Sequence, residues 1–149
     1  MGIKKLPKSD HLVHGYIVEK TAKRMKQAFA KLLSEHQTDI TVDQWVLMEQ
    51  LAKKDGISQL ELAKQVFKDA PTVTRIIDLL AKKSLVDRTT DKTDRRKFKI
   101  VLTSLGKKKF EMVNKLAIQF RKKMYNGLEI DDINKLEYIL NIINTNLKH

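Results

Sequence analysis

The 149-residue sequence has no cysteine, only two prolines and one tryptophan, and only 18 acidic side chains against 30 lysines and arginines. Without cysteine there is neither a disulfide framework nor thiol-based redox sensing, and the chain suits a cytoplasmic address. Two prolines and five glycines punctuate the chain sparsely, which favours helices over many short strands. No apolar run approaches the roughly 20 residues of a membrane span, and MGIKKLPKSD at the start lacks the apolar stretch of a secretory signal. Neither a membrane partner nor export is expected. Catalytic signatures are missing as well: there is no H-E-x-x-H, no Gly-rich phosphate loop and no G-x-S-x-G. An enzyme that holds an acidic substrate would lack a convergent acid, base or nucleophile, so no catalysis and no cofactor are expected.

What is present is positive charge on a soluble chain. The formal net charge is +12, apolar residues make up 42%, and the mean hydropathy is −0.40. The length fits one domain with a proper core. A charge of this size attracts a polyanion, nucleic acid first among them. The charge is focused: basic residues crowd between 82 and 109, where only Asp87, Asp91 and Asp94 oppose them.

Apolar periodicity predicts a helix over about 11–36, through Leu12, Val13, Tyr16, Ile17, Met25, Phe29, Leu32 and Leu33. Thr41 opens a second helix, with Gln44 completing a capping box and Trp45, Leu47, Met48, Leu51 and Ala52 as its apolar surface. Ser58 and Glu61 form a second capping box ahead of Leu62, Ala63 and Val66. After a break at 67–69, Asp69 caps a further helix that tolerates Pro71 in its first turn. Its residues Val73, Ile76, Ile77 and Leu80 face one way. Two short helices joined by a brief turn are what a helix-turn-helix requires. Strands follow over 85–90 and 97–103, the second with Lys97 out, Phe98 in, Lys99 out and Ile100 in. A long helix then runs from about 103 to a stop at Asn126-Gly127. The last helix starts at Asp131-Asp132, where carboxylates suit the helix dipole, and carries Ile133, Leu136, Leu140, Ile143 and Leu147. The fold class is therefore mainly α with a small β wing: a winged helix-turn-helix at about 41–103, flanked by helices at about 11–37 and 104–149.

The second helix of a helix-turn-helix places its N-terminal residues on base edges in the major groove. Here these are Pro71, Thr72, Thr74 and Arg75. Arg75 can make the bidentate contact to guanine, and the threonines can reach a phosphate or a thymine methyl. At the hairpin tip, TTDKTDRRKFKIVLT, Arg96 can enter a narrow minor groove with Asp94 aiming it. Arg95 either enters beside it or grips phosphate, and Lys92 and Lys97 are phosphate contacts. Read one at a time, each of these side chains could be solvated surface; their conjunction points to DNA.

The segment LAKKSLVDRTTDKTDRRKFKIVLTSLGKK resembles the wing of the multiple-antibiotic-resistance regulator (MarR) family of bacterial transcription factors. The D-x-R signature falls on Asp94 and Arg96, and L-T-x-x-G on Leu102, Thr103 and Gly106. TVTRIIDLLAKKSLV and TVDQWVLMEQLA match the recognition helix and the second helix. The resemblance implies a homodimeric regulator on a pseudo-palindromic site in double-stranded DNA. It implies dimerisation through the terminal helices, with Leu12, Val13, Tyr16, Ile17, Leu136, Leu140, Ile143 and Leu147 as contacts. It also implies repression relieved by a small aromatic or anionic effector, for which Tyr16, Trp45 and Met48 are pocket candidates. Aromatic residues and methionines at helical spacing are, however, more often plain core.

There are departures from the family pattern. Ser84 stands where the family has glycine, and a left-handed cap there strains serine, so a looser or different cap is expected. Ala70 replaces a common polar residue, which weakens the case for a base contact from it. His11 and His14, with Asp10, could share a metal, but surface histidines at a helix start are usually solvated, and no metal is expected. The alternative function is a helical dimer that binds a protein partner and no longer reads DNA.

Overall fold

The computed structural model describes the backbone from Leu12 to Lys148 and the side chains from Gly15. Asp10, His11 and the side chains of Leu12, Val13 and His14 lie outside the described residues. The chain divides into a larger compact unit ending at Ala117 and a smaller one beginning at Ile118.

In the larger unit α1 (Leu12–Glu35) leads to α2 (Val42–Lys53), where Thr41 Oγ1 accepts from Gln44 N–H at 3.1 Å and Gln44 Oε1 accepts from Thr41 N–H at 3.2 Å. The expected reciprocal capping box is therefore made. At α3 (Gln59–Val66) only half of one forms. Ser58 Oγ accepts from Glu61 N–H at 3.1 Å, while the Glu61 carboxylate pairs with Lys54 Nζ at 3.3 Å. Asp69 caps α4 (Ala70–Lys82) by accepting from Thr72 N–H at 2.8 Å, with Pro71 in the first turn.

Strands β2 (Val86–Thr90) and β3 (Phe98–Leu102) pair antiparallel in the register Val86↔Leu102 to Thr90↔Phe98. A third strand was not expected from the sequence: β1 (Ile57–Ser58) pairs on the other side of β3, with Ile57 opposite Ile100, giving the order β1-β3-β2. Both of those isoleucines are buried. Phe98 is not turned inward as its place in the alternation suggested. It is 54% exposed, because its register partner Thr90 lies at the outer end of the hairpin, beyond the core that Ile100 and Leu102 reach.

The core of this unit draws Phe29 and Leu33 from α1, Trp45, Leu47 and Met48 from α2, and Val73, Ile77 and Leu80 from α4. Trp45 stacks on Phe110 at 4.9 Å between ring centroids and meets Phe29 edge-on at 6.2 Å. Ala52, expected on the apolar surface, is exposed near the end of α2.

The end of α4 corrects the expectation of a loose cap. Ser84 adopts φ 61°, its N–H donates to Ala81 O at 2.9 Å, and Leu85 N–H donates to Leu80 O at 3.0 Å. That is the full hydrogen-bond pair of a Schellman ending, made by serine despite its β-carbon. The Ser84 carbonyl then accepts from Thr103 Oγ1 at 2.7 Å, and Thr103 N–H donates to Leu85 O at 3.1 Å. Thr103 Oγ1 also accepts from Gly106 N–H at 2.9 Å, capping α5 (Ser104–Met124). The L-T-x-x-G run is thus the joint that fixes the wing root to the start of α5.

In the smaller unit, Gly127 turns the chain at φ 87°. Helix α6 (Ile130–Asn146) has Asp131 and Asp132 in its first turn, and Asp132 Oδ2 accepts from Glu129 N–H at 2.9 Å. None of its residues is buried within the single chain, and Leu136, Leu140, Ile143 and Leu147 are all exposed.

Candidate nucleic-acid interface

The helix-turn-helix consists of α3, the turn at 67–69, and α4. Burial of Val73, Ile76, Ile77 and Leu80 fixes which face of α4 remains outside. Pro71, Thr74 and Arg75 are exposed there and Thr72 is half-buried. Thr74 is not free at both ends. Its hydroxyl donates to Ala70 O at 3.0 Å and accepts from Gln59 Nε2 at 2.6 Å, which leaves the methyl group as its outward chemistry. Gln59 thereby ties the start of α3 to the recognition helix, a role its sequence position does not signal. Hydrogen bonding from the Thr72 backbone N–H, with a contribution from the Arg75 charge, holds the Asp69 carboxyl below its ordinary value. The cap is therefore ionised at neutral pH, where it complements the positive end of α4.

The wing tip is an ordered turn built on two aspartates. Asp91 Oδ1 accepts from Thr93 N–H at 2.9 Å and from Thr93 Oγ1 at 2.7 Å; the Thr93 backbone bond leads in holding its carboxyl below the ordinary value. Asp94 Oδ1 accepts from Arg96 N–H at 3.0 Å and from Arg96 Nε at 3.4 Å. Backbone bonds from Asp91 N–H to Lys97 O at 2.9 Å and from Lys97 N–H to Asp94 O at 3.0 Å close the loop. The Arg96 side chain is 92% exposed, so Asp94 holds the base of the guanidinium while its fork stays open to solvent. Lys92, Arg95 and Lys97 are exposed around it. Asp91 was read only as opposing charge, although D-x-T is a legible turn signal.

Arg88 is committed elsewhere: its guanidinium pairs with Asp78 on α4, linking the wing strand to the recognition helix. A partner ten residues away across a helix and a strand leaves no periodic trace in sequence.

The three pocket candidates sit in different surroundings. Trp45 and Met48 are packed in the core, and Tyr16 is 63% exposed on α1. A hollow of about 600 Å³ lies at the junction of α1 and α2, lined among others by Lys26, Leu33, Thr38, Asp43 and Lys83. Lys83 Nζ there donates to Asp39 O and to Gln44 Oε1, the latter at 3.2 Å. Burial raises the Asp43 pKa, but hydrogen bonds and charge from Lys26 (2.9 Å) and Lys68 (3.1 Å) outweigh it, and the net shift is downward. Tyr16, Ile17, Leu136, Leu140, Ile143 and Leu147 are exposed in the single chain. Among the described residues no group of three His, Asp or Glu side chains could hold a metal ion, and no helix is long and apolar enough to cross a membrane.

A helix-turn-helix whose second helix presents Thr72 and Arg75, followed by a β hairpin tipped with arginine, defines a winged helix. The chain is similar to the MarR family, whose family model matches residues 40–98. It is 32% identical over 101 residues to the uncharacterised HTH-type transcriptional regulator YhbI of Bacillus subtilis (strain 168), a match covering 68% of this chain and 64% of that relative. It is 26% identical to S. aureus MepR in a MepR–DNA complex, with a TM-score of 0.79 over 89% of this chain and 97% of that one. The fold is shared also with a mutant MarR from E. coli in complex with operator DNA, at 24% identity, a TM-score of 0.79, and coverage of 91% and 99%. Family and fold are those of transcriptional regulators rather than enzymes.

Proposed function

We propose that this protein is a sequence-specific, double-stranded-DNA-binding transcriptional regulator, a cytoplasmic repressor that binds a pseudo-palindromic operator as a homodimer. The observation that carries this reading is the pairing of an open recognition-helix face with a rigid wing. Thr72 and Arg75 project from the capped start of α4, and Arg96 projects from a turn locked by Asp91 and Asp94. Arg75 takes the base edge in the major groove. Arg96 enters the adjacent minor groove, and Lys92, Arg95 and Lys97 neutralise phosphates. Two similar proteins, MepR and MarR, are seen in complex with DNA, which supports the same partner for this chain.

Dimerisation is supported by α6, whose apolar residues Leu136, Ile139, Leu140 and Ile143 find no burial within one chain and need a partner. Release by a small anionic effector is supported by the α1–α2 hollow. Lys26 and Lys83 line it, and Lys83 follows the last turn of the recognition helix. An anion that draws Lys83 from Asp39 and Gln44 would act directly on the end of α4.

The test is fluorescence anisotropy with the duplex that the purified protein selects from a randomised pool. Arg96→Ala should weaken binding about tenfold or more, the scale of one lost charged groove contact, while sedimentation still shows the dimer. Unchanged affinity would remove Arg96 from the interface.

A further inference from the structure

Among the described residues Phe67 is the most exposed large apolar side chain, at 98%. It also sits at φ 54°, ψ 48°, in the left-handed region that glycine enters freely and a bulky side chain does not. The hydrogen bonds that end α3 there are purely main-chain. Phe67 N–H donates to Lys64 O at 3.4 Å, and Lys68 N–H donates to Ala63 O at 3.2 Å. Those bonds require a left-handed residue and make no use of an aromatic ring. The ring therefore carries two local costs, strain and hydrated apolar surface, and an exposure of 98% leaves it almost no packing within the chain to offset them.

Its position suggests what does. Phe67 directly follows α3 and lies two residues before Asp69, the cap of the recognition helix. Leu60, Lys64, Phe67 and Ala70 line one open hollow beside the start of α4. The apolar patch of Leu60 and Phe67 is far smaller than a stable protein–protein interface needs, and the chain as a whole carries a net charge of +12. It is continuous with the end of the helix that enters the major groove. In that groove the one apolar feature of a base edge is the thymine 5-methyl, which phenylalanine contacts.

We propose that Phe67 is a further specificity-determining residue, packing its ring on a thymine methyl at the edge of the bases read by Thr72 and Arg75. Lys64, which lines the same hollow, grips the flanking phosphate. The inference rests on the DNA-binding reading above and adds a base preference to it.

The experiment compares wild-type protein, Phe67→Gly and Phe67→Leu on the duplex selected by the wild type, and on the same duplex with deoxyuridine replacing thymidine. Phe67→Gly should raise the melting temperature by about 2–4 °C, the effect of relieving roughly one unit of left-handed strain in a chain of this length. It should also weaken binding to the thymine duplex about fifteenfold, which is about fourfold per half-site for one buried methyl group counted twice. Phe67→Leu, which keeps an apolar side chain, should recover most of that affinity. Removing the thymine methyls should cost the wild type clearly more than it costs Phe67→Gly. A raised melting temperature with unchanged affinity, or a lowered melting temperature, would overturn the assignment, because the ring would then be idle or structural. Equal losses for both proteins on the deoxyuridine duplex would overturn the thymine contact. Selection of no duplex at all would remove the DNA-binding reading itself, and this one with it.

Discussion

Replacing Gly106 with alanine should break the joint between the wing and α5. Gly106 is buried in the first turn of α5, and a methyl carbon built on it would overlap the Leu85 carbonyl oxygen. The same carbon would lie 3.0 Å from the Leu85 carbonyl carbon and 3.3 Å from Leu102 Cδ2. The main obstacle is backbone, which cannot swing aside as a side-chain end can. Either the start of α5 or the segment leading into β2 must shift, and either shift breaks the Thr103 N–H to Leu85 O bond. Overpacking of this kind costs about 1–3 kcal/mol, and the lost hydrogen bond about 0.5–1.5 kcal/mol. The better helix propensity of alanine returns about 1 kcal/mol at most. A net loss of about 2–3 kcal/mol corresponds to a fall in melting temperature of roughly 4–12 °C for a chain of this length. The assay is thermal unfolding followed by circular dichroism at fixed protomer concentration, since association shifts the midpoint. Gly15→Ala is the control: nothing lies within 4 Å of the added carbon in α1, and the change should stabilise by about 0.5–1 kcal/mol. If the two variants melt alike, the close approach of Leu85 to α5 is not what requires glycine at 106.

Two further outcomes can be measured on the same samples. Ser84→Gly removes a β-carbon at φ 61° without touching the main-chain bonds of the helix ending, and should raise the melting temperature by about 1–4 °C; a fall would mean that the serine side chain supports the cap. Asp43→Asn removes the carboxylate that Lys26 and Lys68 share. Because the folded pKa lies below the ordinary 3.8, its stabilisation is present above that pH and fades as pH falls through the folded value. With Asp43 38% exposed, solvent screening keeps the effect under about 1 kcal/mol. The variant should melt slightly lower than wild type at pH 7 and alike near pH 2; a gap that persists in acid would refute the ion-pair account.

Local chemistry made much of this architecture legible. Thr41 with Gln44, and Asp69 ahead of Pro71, mark helix starts because a cap is satisfied within three residues. Asp94 and Arg96 are likewise two residues apart, so their contact is visible in the sequence. What escaped was non-local. Strand β1 is two residues long and owes its existence to Ile100, 43 positions away, so no alternation announces it. The Gln59–Thr74 and Asp78–Arg88 contacts join different elements. Phe98 fits the alternation of β3, but the core does not extend to its level of the hairpin. Trp45 and Met48 have the residue types of a pocket wall, and only packing against Phe110 and Phe29 identifies at least Trp45 as core. The Ser84 ending misled for another reason. The sequence indicates the strain of a left-handed serine, while the bonds through Ser84 O and Leu85 O that hold it in place depend on Thr103, far along the chain.

The central claim, that α4 and the wing read DNA together, is tested most directly by sequencing the duplexes bound by wild type, Arg75→Ala and Arg96→Ala from one randomised pool. The account predicts a two-fold-symmetric motif for the wild type. Arg75→Ala should lose the preference at one base pair in each half-site. Arg96→Ala should lose only the flanking A·T preference, and affinity should fall with salt at a slope of about 0.9 per phosphate contacted. No enriched motif for the wild type, or the same motif in all three proteins, would contradict it.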